Sequence, residues 1–337
     1  MTSTQTHLQG MLQGALLSHS QGTFTGANQT KLFYQSWYPA TTSNALERTA
    51  SAQDAATFQP MLKTSQAEPF PGKSSVKGVL AIVHGLGEHS GRYCSVVRAA
   101  VGAGYAVFGF DNQGHGKSEG QRGHIRSWQD YRDNVQAFLQ LVRTQEPAAP
   151  LFLMGHSLGG LIVLDYVLRS AQTARFEALQ VKGIVISAPP MKPVGGTAHS
   201  ARAILAKLLS GLLPRFTLKM CLDAGGLSRD RTVEAQAQQD PLVHSYVTLR
   251  WGAETISTIA WVKKHISQLG LPILLTHGGA DPLIDPAGSA ALFEEIAAPE
   301  KTLHIYPGSY HEPHNDLDVD VVTADIVTWL EQTLEES

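Results

Sequence analysis

Apolar runs of strand length alternate with segments of helical periodicity along most of the chain. Four runs are almost entirely apolar, at residues 78–83, 104–110, 151–154 and 183–187. Apolar residues at helical spacing lie between these runs, at residues 93–101, 128–145 and 158–169. Strands that are apolar at every position, rather than at alternate positions, are buried on both faces. The pattern therefore predicts an α/β protein with a mostly parallel sheet that is covered by helices on both faces.

The alternation is interrupted between residues 191 and 268. Apolar positions recur there at helical spacing in residues 201–213 and 253–266. We predict that residues 191–268 form a helical cap over the carboxyl edge of the sheet. The α/β pattern then resumes with strands at 272–276 and 302–306 and helices at 286–297 and 319–331. The predicted core thus comprises residues 21–190 and 269–337.

The N-terminal region has a weaker pattern. Residues 1–20 are rich in Ser, Thr and Gln, which predicts a flexible tail. Two short strands at 22–25 and 32–37 flank a turn-prone segment and predict a hairpin. Residues 39–75 are dominated by Ala, Thr, Ser, Gln and Pro without any periodicity. This composition predicts a mobile insertion in the core.

Composition narrows the classes of function. The 337 residues are 43% hydrophobic, so the chain can bury a large core, and the net charge of -3 gives no electrostatic case for a nucleic-acid partner. The two cysteines, Cys94 and Cys221, lack metal-ligand spacing, so we expect neither a metal nor another cofactor. No Lys or Arg precedes Lys31, and no long apolar run occurs there. These features argue against a signal peptide and a membrane span, and predict a cytoplasmic protein.

The segment LFLMGHSLGGLIVL, residues 151–164, places Ser157 between a predicted strand and a predicted helix. Its centre has the G-x-S-x-G pattern of a nucleophile elbow, in which small residues allow a sharp turn from strand to helix. The elbow would hold the Ser157 hydroxyl at the tip of the turn. The start of the next helix would favour negative charge beside it.

A serine hydroxyl is a weak nucleophile until a base removes its proton, and that base needs an orienting carboxylate. Asp281 and His311 each follow a predicted strand of the second core segment, in the order Ser, Asp, His. Asp285 competes with Asp281, but its place before Pro286 and a helix is explained by helix capping. We therefore predict Ser157 as nucleophile, His311 as base and Asp281 as the orienting acid.

Acyl transfer also needs hydrogen-bond donors for the oxyanion. The backbone N–H of Leu158, directly after the nucleophile, is one candidate. The loop after the early strand, HGLG at residues 84–87, offers the backbone N–H of Leu86 as the second. We predict that these two N–H groups form the oxyanion hole.

Five segments resemble the monoacylglycerol lipase and lysophospholipase-like branch of the α/β-hydrolases. They are HGLGEHSGRY at 84–93, FDNQGHGKSEGQRG at 110–123, GHSLGG at 155–160, GGADPLID at 278–285 and YPGSYHEPH at 306–314. The resemblance implies an α/β-hydrolase fold with a cap insertion. It also implies that Glu88, Arg92 and His314 recognise a polar glycerol head group, although Glu88 and Arg92 could equally form a structural ion pair. An amphipathic cap that makes transient contact with a membrane surface is implied as well.

The residues and the resemblance together predict a serine hydrolase that cleaves a lipid ester, a monoacylglycerol or a lysophospholipid, through an acyl-enzyme. Three alternatives remain open. The first is a small-ester carboxylesterase or aminopeptidase. The second is a lipid acyltransferase, since His311 and Asp316 match an H-x-x-x-x-D pattern. The third is a ligand-binding receptor that keeps the fold without catalysis.

Overall fold

The computed structural model of the chain describes residues 17–40, 76–194, 209–220 and 224–336. Cys221, most of the predicted tail and insertion, and most of the predicted helix at 201–213 therefore lie outside the described residues.

Cys94 is half-buried and its thiol lies 3.4 Å from the carbonyl of Gly91. Burial raises the pKa of this thiol to about 11. The thiol is therefore protonated at neutral pH.

An eight-stranded sheet forms the centre of the molecule. Its strands are β1 (Leu17–Thr25), β2 (Lys31–Pro39), β3 (Val79–Val83), β4 (Ala106–Phe110), β5 (Leu151–His156), β6 (Val181–Ser187), β9 (Ile273–Gly278) and β10 (Lys301–Tyr306), with β7 and β8 in the cap. They lie side by side in the order β1-β2-β4-β3-β5-β6-β9-β10. The first three form antiparallel pairs and the others pair in parallel, which confirms the predicted mostly parallel sheet.

Helices separate the parallel strands as the alternation predicted. They are α1 (Cys94–Gly102), α2 (Gln129–Gln145), α3 (Leu158–Ser170), α4 (Ala174–Glu177), α5 (Arg231–Gln239), α6 (Leu249–His265), α7 (Ala287–Glu295) and α8 (Val319–Glu335). The predicted core helices agree with the observed ones within a few residues, and α4 is an additional short helix. Alternate side chains of the central strands enter two separate apolar clusters, one on each face of the sheet. Burial on both faces is what strands without polar positions require.

The hairpin at the N-terminal edge is longer than predicted. The prediction of a tail up to residue 20 is wrong for residues 17–20, which belong to β1, and Pro39 ends β2 instead of opening the insertion. Leu17 is buried, and His19 stacks on Trp37 at a ring distance of 5.2 Å. Residues 17–21 were missed because only Leu17 among them is apolar, so no alternation of apolar and polar positions is visible.

The cap is only partly helical. Residues 209–212, α5 and α6 are helical, but β7 (Thr217–Lys219) and β8 (Tyr246–Thr248) form a two-stranded antiparallel sheet inside the segment predicted to be helical. Strands of three residues carry too few positions to produce a period of two. Throughout the described part of the chain, no helix combines the length and apolarity that a membrane crossing requires.

Candidate active site

Ser157 occupies the sharp turn between β5 and α3. Its backbone has φ 50° and ψ −116°, a strained conformation for a residue other than glycine. A Cβ on Gly155 would lie 2.4 Å from the carbonyl oxygen of Gly159, and one on Gly159 would lie 2.0 Å from that of Val83. Both flanking glycines are therefore required by close backbone approach. The turn has the geometry that the G-x-S-x-G pattern predicted.

The structure brings Ser157, His311 and Asp281 together at the carboxyl edge of the sheet. His311 Nε2 lies 2.9 Å from Ser157 Oγ, and His311 Nδ1 lies 2.7 Å from Asp281 Oδ2. The three residues follow β5, β10 and β9 respectively. A hydroxyl, an imidazole and a carboxylate in this order can transfer a proton from serine to histidine while the carboxylate fixes the tautomer.

Hydrogen bonds keep the Asp281 carboxylate ionised despite its burial. Its Oδ1 accepts the backbone N–H groups of Leu283 at 2.8 Å and Ile284 at 3.0 Å. These bonds and the two neighbouring histidines hold the pKa of Asp281 well below its usual range. The charged carboxylate in turn raises the pKa of His311 above its ordinary value, against the opposing effect of burial. The pair therefore stabilises the imidazolium that forms when His311 accepts a proton.

His277 is a second histidine on Asp281 that the sequence did not single out. It ends β9, is fully buried, and its Nε2 lies 3.1 Å from Asp281 Oδ2. Its Nδ1 lies 2.7 Å from Ser289 Oγ on α7. His277 thus contacts the same carboxylate oxygen of Asp281 as His311 does. Its position four residues before Asp281 was the only signal in the sequence.

The competing acidic residues lie elsewhere. Asp285 pairs with Lys192 at 2.7 Å and accepts the backbone N–H of Ala287 at the start of α7, the capping role that was predicted for it. Asp316, of the H-x-x-x-x-D pattern, accepts bonds from Arg229 Nε at 3.0 Å and from the backbone N–H of Tyr310 at 2.6 Å. Neither carboxylate contacts His311.

The loop of residues 84–93 is fixed from both ends beside Ser157. The backbone N–H of Asn112 donates to His84 Nε2 at 2.8 Å, and the N–H of Gly85 donates to Glu88 Oε1 at 2.5 Å. Gly87 has φ 75°, in the left-handed region. Leu86, between the two glycines, lines the cavity above Ser157. This loop is therefore rigid where an oxyanion donor is expected.

Leu158 is the first residue of α3. The first N–H groups of a helix have no acceptor within that helix, so the Leu158 N–H is directed away from the helix towards its N-terminal end. The Leu158 side chain is buried in the core, and only its backbone is available to a substrate.

Glu88 and Arg92 lie beside the cavity, and the structure adds Glu312 to them. Arg92 Nε lies 3.3 Å from Glu88 Oε2, and Arg92 Nη2 donates to both oxygens of Glu312 at 2.9 and 2.6 Å. His314 is buried behind this group, where it stacks on Tyr93 at a ring distance of 5.0 Å. Burial lowers the pKa of His314 to about 4, so its ring is neutral at neutral pH. Sequence reasoning missed Glu312, although it directly follows His311.

A cavity of about 400 Å³ opens above these side chains. The core and the cap both contribute to its lining, which comprises Gly85, Leu86, Gly87, Glu88, Arg92, His156, Ser157, Lys219, Leu227, Ala237, Gln238, Val243, His244, Ser245, His311 and Glu312. His314 is not among the lining residues. The cap side of the lining mixes the apolar Leu227, Ala237 and Val243 with polar side chains, whereas the charged Glu88, Arg92 and Glu312 come from the core. Across the described ranges, no group of three or more His, Cys, Asp or Glu side chains could hold a metal ion.

The cap contacts the two loops that carry the candidate site. The backbone N–H of His244 donates to the carbonyl of Gly87 at 2.8 Å. Asp240, at the end of α5, pairs with His89 at 2.9 Å, and both side chains are buried. On the other side, the N–H of Glu312 donates to the carbonyl of Leu227 at 2.8 Å. The cap is thus hydrogen-bonded to the 84–93 loop and to the His311 loop.

Known proteins are similar to this chain over most of its length. Residues 74–318 match the family model described as serine aminopeptidase, S33. A monoacylglycerol lipase of Mycolicibacterium smegmatis is 32% identical over 75% of this chain and 88% of its own length. Phospholipase YtpA of Bacillus subtilis is 31% identical over 71% of this chain and 89% of its own. The crystal structure of Paleococcus ferrophilus monoacylglycerol lipase is 33% identical, with a TM-score of 0.68, and covers 78% of this chain and 96% of that one.

Proposed function

We propose that this chain, which belongs to the serine aminopeptidase S33 family of α/β-hydrolases, is a serine hydrolase that cleaves carboxylic esters of monoacylglycerols. The observation that carries the proposal is the alignment of Ser157, His311 and Asp281, with 2.9 and 2.7 Å between successive partners, at the floor of a cavity of about 400 Å³. Relatives named monoacylglycerol lipase support the lipid ester as substrate.

In the proposed mechanism, Ser157 Oγ attacks the ester carbonyl as His311 Nε2 accepts the hydroxyl proton. The backbone N–H groups of Leu86 and Leu158 stabilise the oxyanion of the tetrahedral intermediate. His311 then donates its proton to the departing alcohol, and an acyl-enzyme remains on Ser157. A water molecule, deprotonated by His311, hydrolyses the acyl-enzyme and releases a fatty acid. The reaction uses no metal and no other cofactor.

The head group of the alcohol would lie against Glu88 and Arg92. Glu88 Oε2 is buried, lies 3.3 Å from Arg92 Nε and forms no hydrogen bond within the described residues, which leaves it able to accept a bond from a substrate hydroxyl. His314 was expected to take part, but it lies behind Tyr93 and not in the cavity lining. Its proposed contribution is therefore to support Tyr93, whose hydroxyl donates to Glu88 at 2.7 Å.

Kinetics with a series of glycerol monoesters, from acetyl to oleoyl, tests the proposal. We expect kcat/KM to rise with acyl length as the chain contacts the apolar cap residues Leu227, Ala237 and Val243, and Ser157→Ala to abolish hydrolysis. Equal rates for acetyl and long acyl esters would instead favour a small-ester carboxylesterase. A fluorophosphonate probe that fails to label Ser157 would favour a non-catalytic receptor.

A lysophospholipid is the second candidate substrate, because one relative is named a phospholipase. Acyl transfer has less support, since Asp316 bonds to Arg229 and to the Tyr310 backbone instead of to His311. Transfer from acyl-coenzyme A that survives Ser157→Ala would reverse this ranking.

Transient contact of the cap with a membrane surface is also proposed. Large apolar side chains of the cap are exposed to solvent, among them Leu212 at 80% and Phe216 at 54%. Together with Leu213 and Leu218 they form an apolar cap surface, which is typical of proteins that dock on lipid. Leu212→Asp with Phe216→Asp should weaken binding to neutral lipid vesicles while sparing hydrolysis of a soluble ester. Unchanged vesicle binding would contradict the proposal. The proposed peripheral contact with membranes rests on this surface, whereas the proposed cytoplasmic location rests on the N-terminal sequence.

A further inference from the structure

The positive and negative charges of the side chains at the inner end of the cavity are unequal in number. Arg92 is paired with both Glu88 and Glu312, and the side chains of all three are less than a tenth exposed. Tyr93 and Asn315 donate neutral hydrogen bonds to the two carboxylates at 2.7 and 2.9 Å. Within the described residues, Arg92 is the only cation in an ion pair with either carboxylate. One guanidinium therefore faces two carboxylates, and the group carries an excess negative charge.

The two carboxylates are not equivalent. The nearby guanidinium lowers the pKa of Glu312, whereas burial and the charge of Glu312 raise the pKa of Glu88. Glu312 is therefore the ionised partner of Arg92, held by two bonds from a single guanidinium nitrogen. Glu88 Oε2 lies 3.3 Å from Arg92 Nε but forms no hydrogen bond within the described residues, and Glu88 lines the cavity.

This group lies next to the reacting atoms. Glu312 follows His311 in the chain, and a Cβ added to Gly85 would lie within 3.5 Å of both Glu88 Oε1 and Ser157 Cβ. The remaining charged side chain in the cavity lining is Lys219, which is exposed on cap strand β7 and is screened by solvent. The excess negative charge thus lines the same cavity as Ser157 and His311.

We propose that Glu312 is a specificity-determining residue that excludes anionic head groups, so that the enzyme selects esters of uncharged polyols over esters whose alcohol carries a phosphate. The inference rests on the proposed function, since it concerns the alcohol of the ester that Ser157 attacks. It separates the two candidate substrates that the relatives leave open.

The physical reason is that Arg92 is already committed. A phosphate beside Ser157 would lose its hydration and would meet carboxylate oxygens, which accept hydrogen bonds but cannot donate them. To reach Arg92 it would have to displace Glu312, and the displaced carboxylate would then be buried without a counter-ion. A polyol meets no such penalty, because its hydroxyl groups donate to Glu88 Oε2.

The test compares kcat/KM for 1-oleoylglycerol and 1-oleoylglycerol 3-phosphate, each at low mole fraction in neutral detergent micelles at fixed ionic strength. The wild-type enzyme should prefer the uncharged ester strongly. Glu312→Gln should reduce this preference by about tenfold or more, the effect of removing one unit charge near the head group at the effective dielectric of a protein site. Glu312→Asp keeps the charge and should keep the preference.

Glu331→Gln is the matched control. Glu331 is an exposed carboxylate on α8 that pairs with Lys77 at 2.6 Å, and it does not line the cavity. This variant removes the same charge from the protein and should leave the preference unchanged. A change as large as that of Glu312→Gln would show an effect of net charge and would overturn the proposal.

Two further outcomes bear on whether Glu312 sets the head-group preference. If Glu312→Gln folds with a normal melting curve and keeps the wild-type preference, Glu312 does not set the specificity. If that variant does not fold, the wild-type comparison decides, and similar kcat/KM for the two esters overturns the inference. Failure of the proposed function looks different, because the wild-type enzyme would then hydrolyse neither ester.

Discussion

The core edge and the cap line the same cavity with different kinds of side chain. At the core edge, buried polar groups such as Asp281, His277 and Glu88 are held by several hydrogen bonds each. The cap supplies the apolar part of the lining, Leu227, Ala237 and Val243, among polar side chains, and its outer surface leaves Leu212 and Phe216 exposed. A buried polar network is expensive to rearrange, whereas an apolar surface can move with little loss. We therefore expect core substitutions to change the chemistry and substitutions in the cap lining to change acyl preference.

The two regions are nevertheless joined at defined points. The His244–Gly87 and Glu312–Leu227 backbone bonds and the Asp240–His89 pair connect the cap to both loops of the candidate site. Substitutions in the core should therefore reduce catalysis directly. Substitutions at these joints should reduce it through loop position. Cap substitutions away from the joints, the cavity lining and the exposed apolar surface should change stability alone.

The largest effect is expected from Asp281→Asn. Loss of the carboxylate should lower kcat by about 10⁴-fold, because the amide favours the wrong histidine tautomer. Asp281 raises the pKa of His311, and the base must be neutral to act. Wild-type kcat/KM should thus rise with pH through a pKa above the ordinary value of 6.5, and in the variant this limb should move to lower pH. Asp285→Asn, the neighbouring carboxylate outside the site, should leave the rate within about twofold.

Gly87→Ala should have the next largest effect. A Cβ there would lie 2.1 Å from the carbonyl oxygen of His244, and φ 75° is strained for alanine. Displacement of the neighbouring Leu86 N–H should lower kcat by about 100-fold, the cost of losing one oxyanion donor. Gly102→Ala, whose Cβ would meet no atom within 4 Å at the end of α1, is the control in the same assay. Equal rates for the two variants would argue that Leu86 is not a donor.

Asp240→Ala tests whether the joint between cap and core matters. It leaves His89 buried without its partner, which should cost about 1–3 kcal/mol of unfolding free energy. We expect kcat/KM to fall by about tenfold, since His89 lies in the loop that carries Leu86. Asp230→Ala, at the other end of α5, removes a helix cap worth about 1 kcal/mol without touching the core. If both variants lose stability and neither loses activity, the joint has no catalytic role.

The smallest effect concerns Gly252, inside cap helix α6. A Cβ at this position would meet no atom within 4 Å. Gly252→Ala should therefore raise the free energy of unfolding by about 0.5–1 kcal/mol, because glycine is a poor helix former. Denaturant unfolding measures the gain, and kcat/KM should not change. A loss of activity would show that the interior of this helix has to bend during turnover.

The core was predictable because its signals are local. Continuous apolar runs identified the buried strands, and Ser157, Asp281 and His311 were found because each lies shortly after one of them. The structure brings these three residues together. Neighbouring glycines made the turn at Ser157 recognisable, since steric close approach leaves a mark in the sequence.

Features built from distant pairs left no such signal. Arg92 and Glu312 are 220 residues apart, and His89 and Asp240 are 151 apart, so neither pair could be read from spacing. The strands β7 and β8 are too short to show a period. Residues 17–21 of β1 were missed because Leu17 is their only buried residue and the four that follow it are polar. What sequence reasoning lacked was therefore contact information, not chemistry.

Two backbone hydrogen bonds, from His244 to Gly87 and from Glu312 to Leu227, are relevant to protein engineering. Grafting the cap of a relative onto this core is an obvious way to change acyl specificity. Such a chimera would exchange the main-chain groups of Leu227 and His244 that hold the two catalytic loops. The graft boundaries therefore belong inside the cap, between residues 230 and 239, so that both anchoring backbones and Asp240 stay native while the lining between them is exchanged.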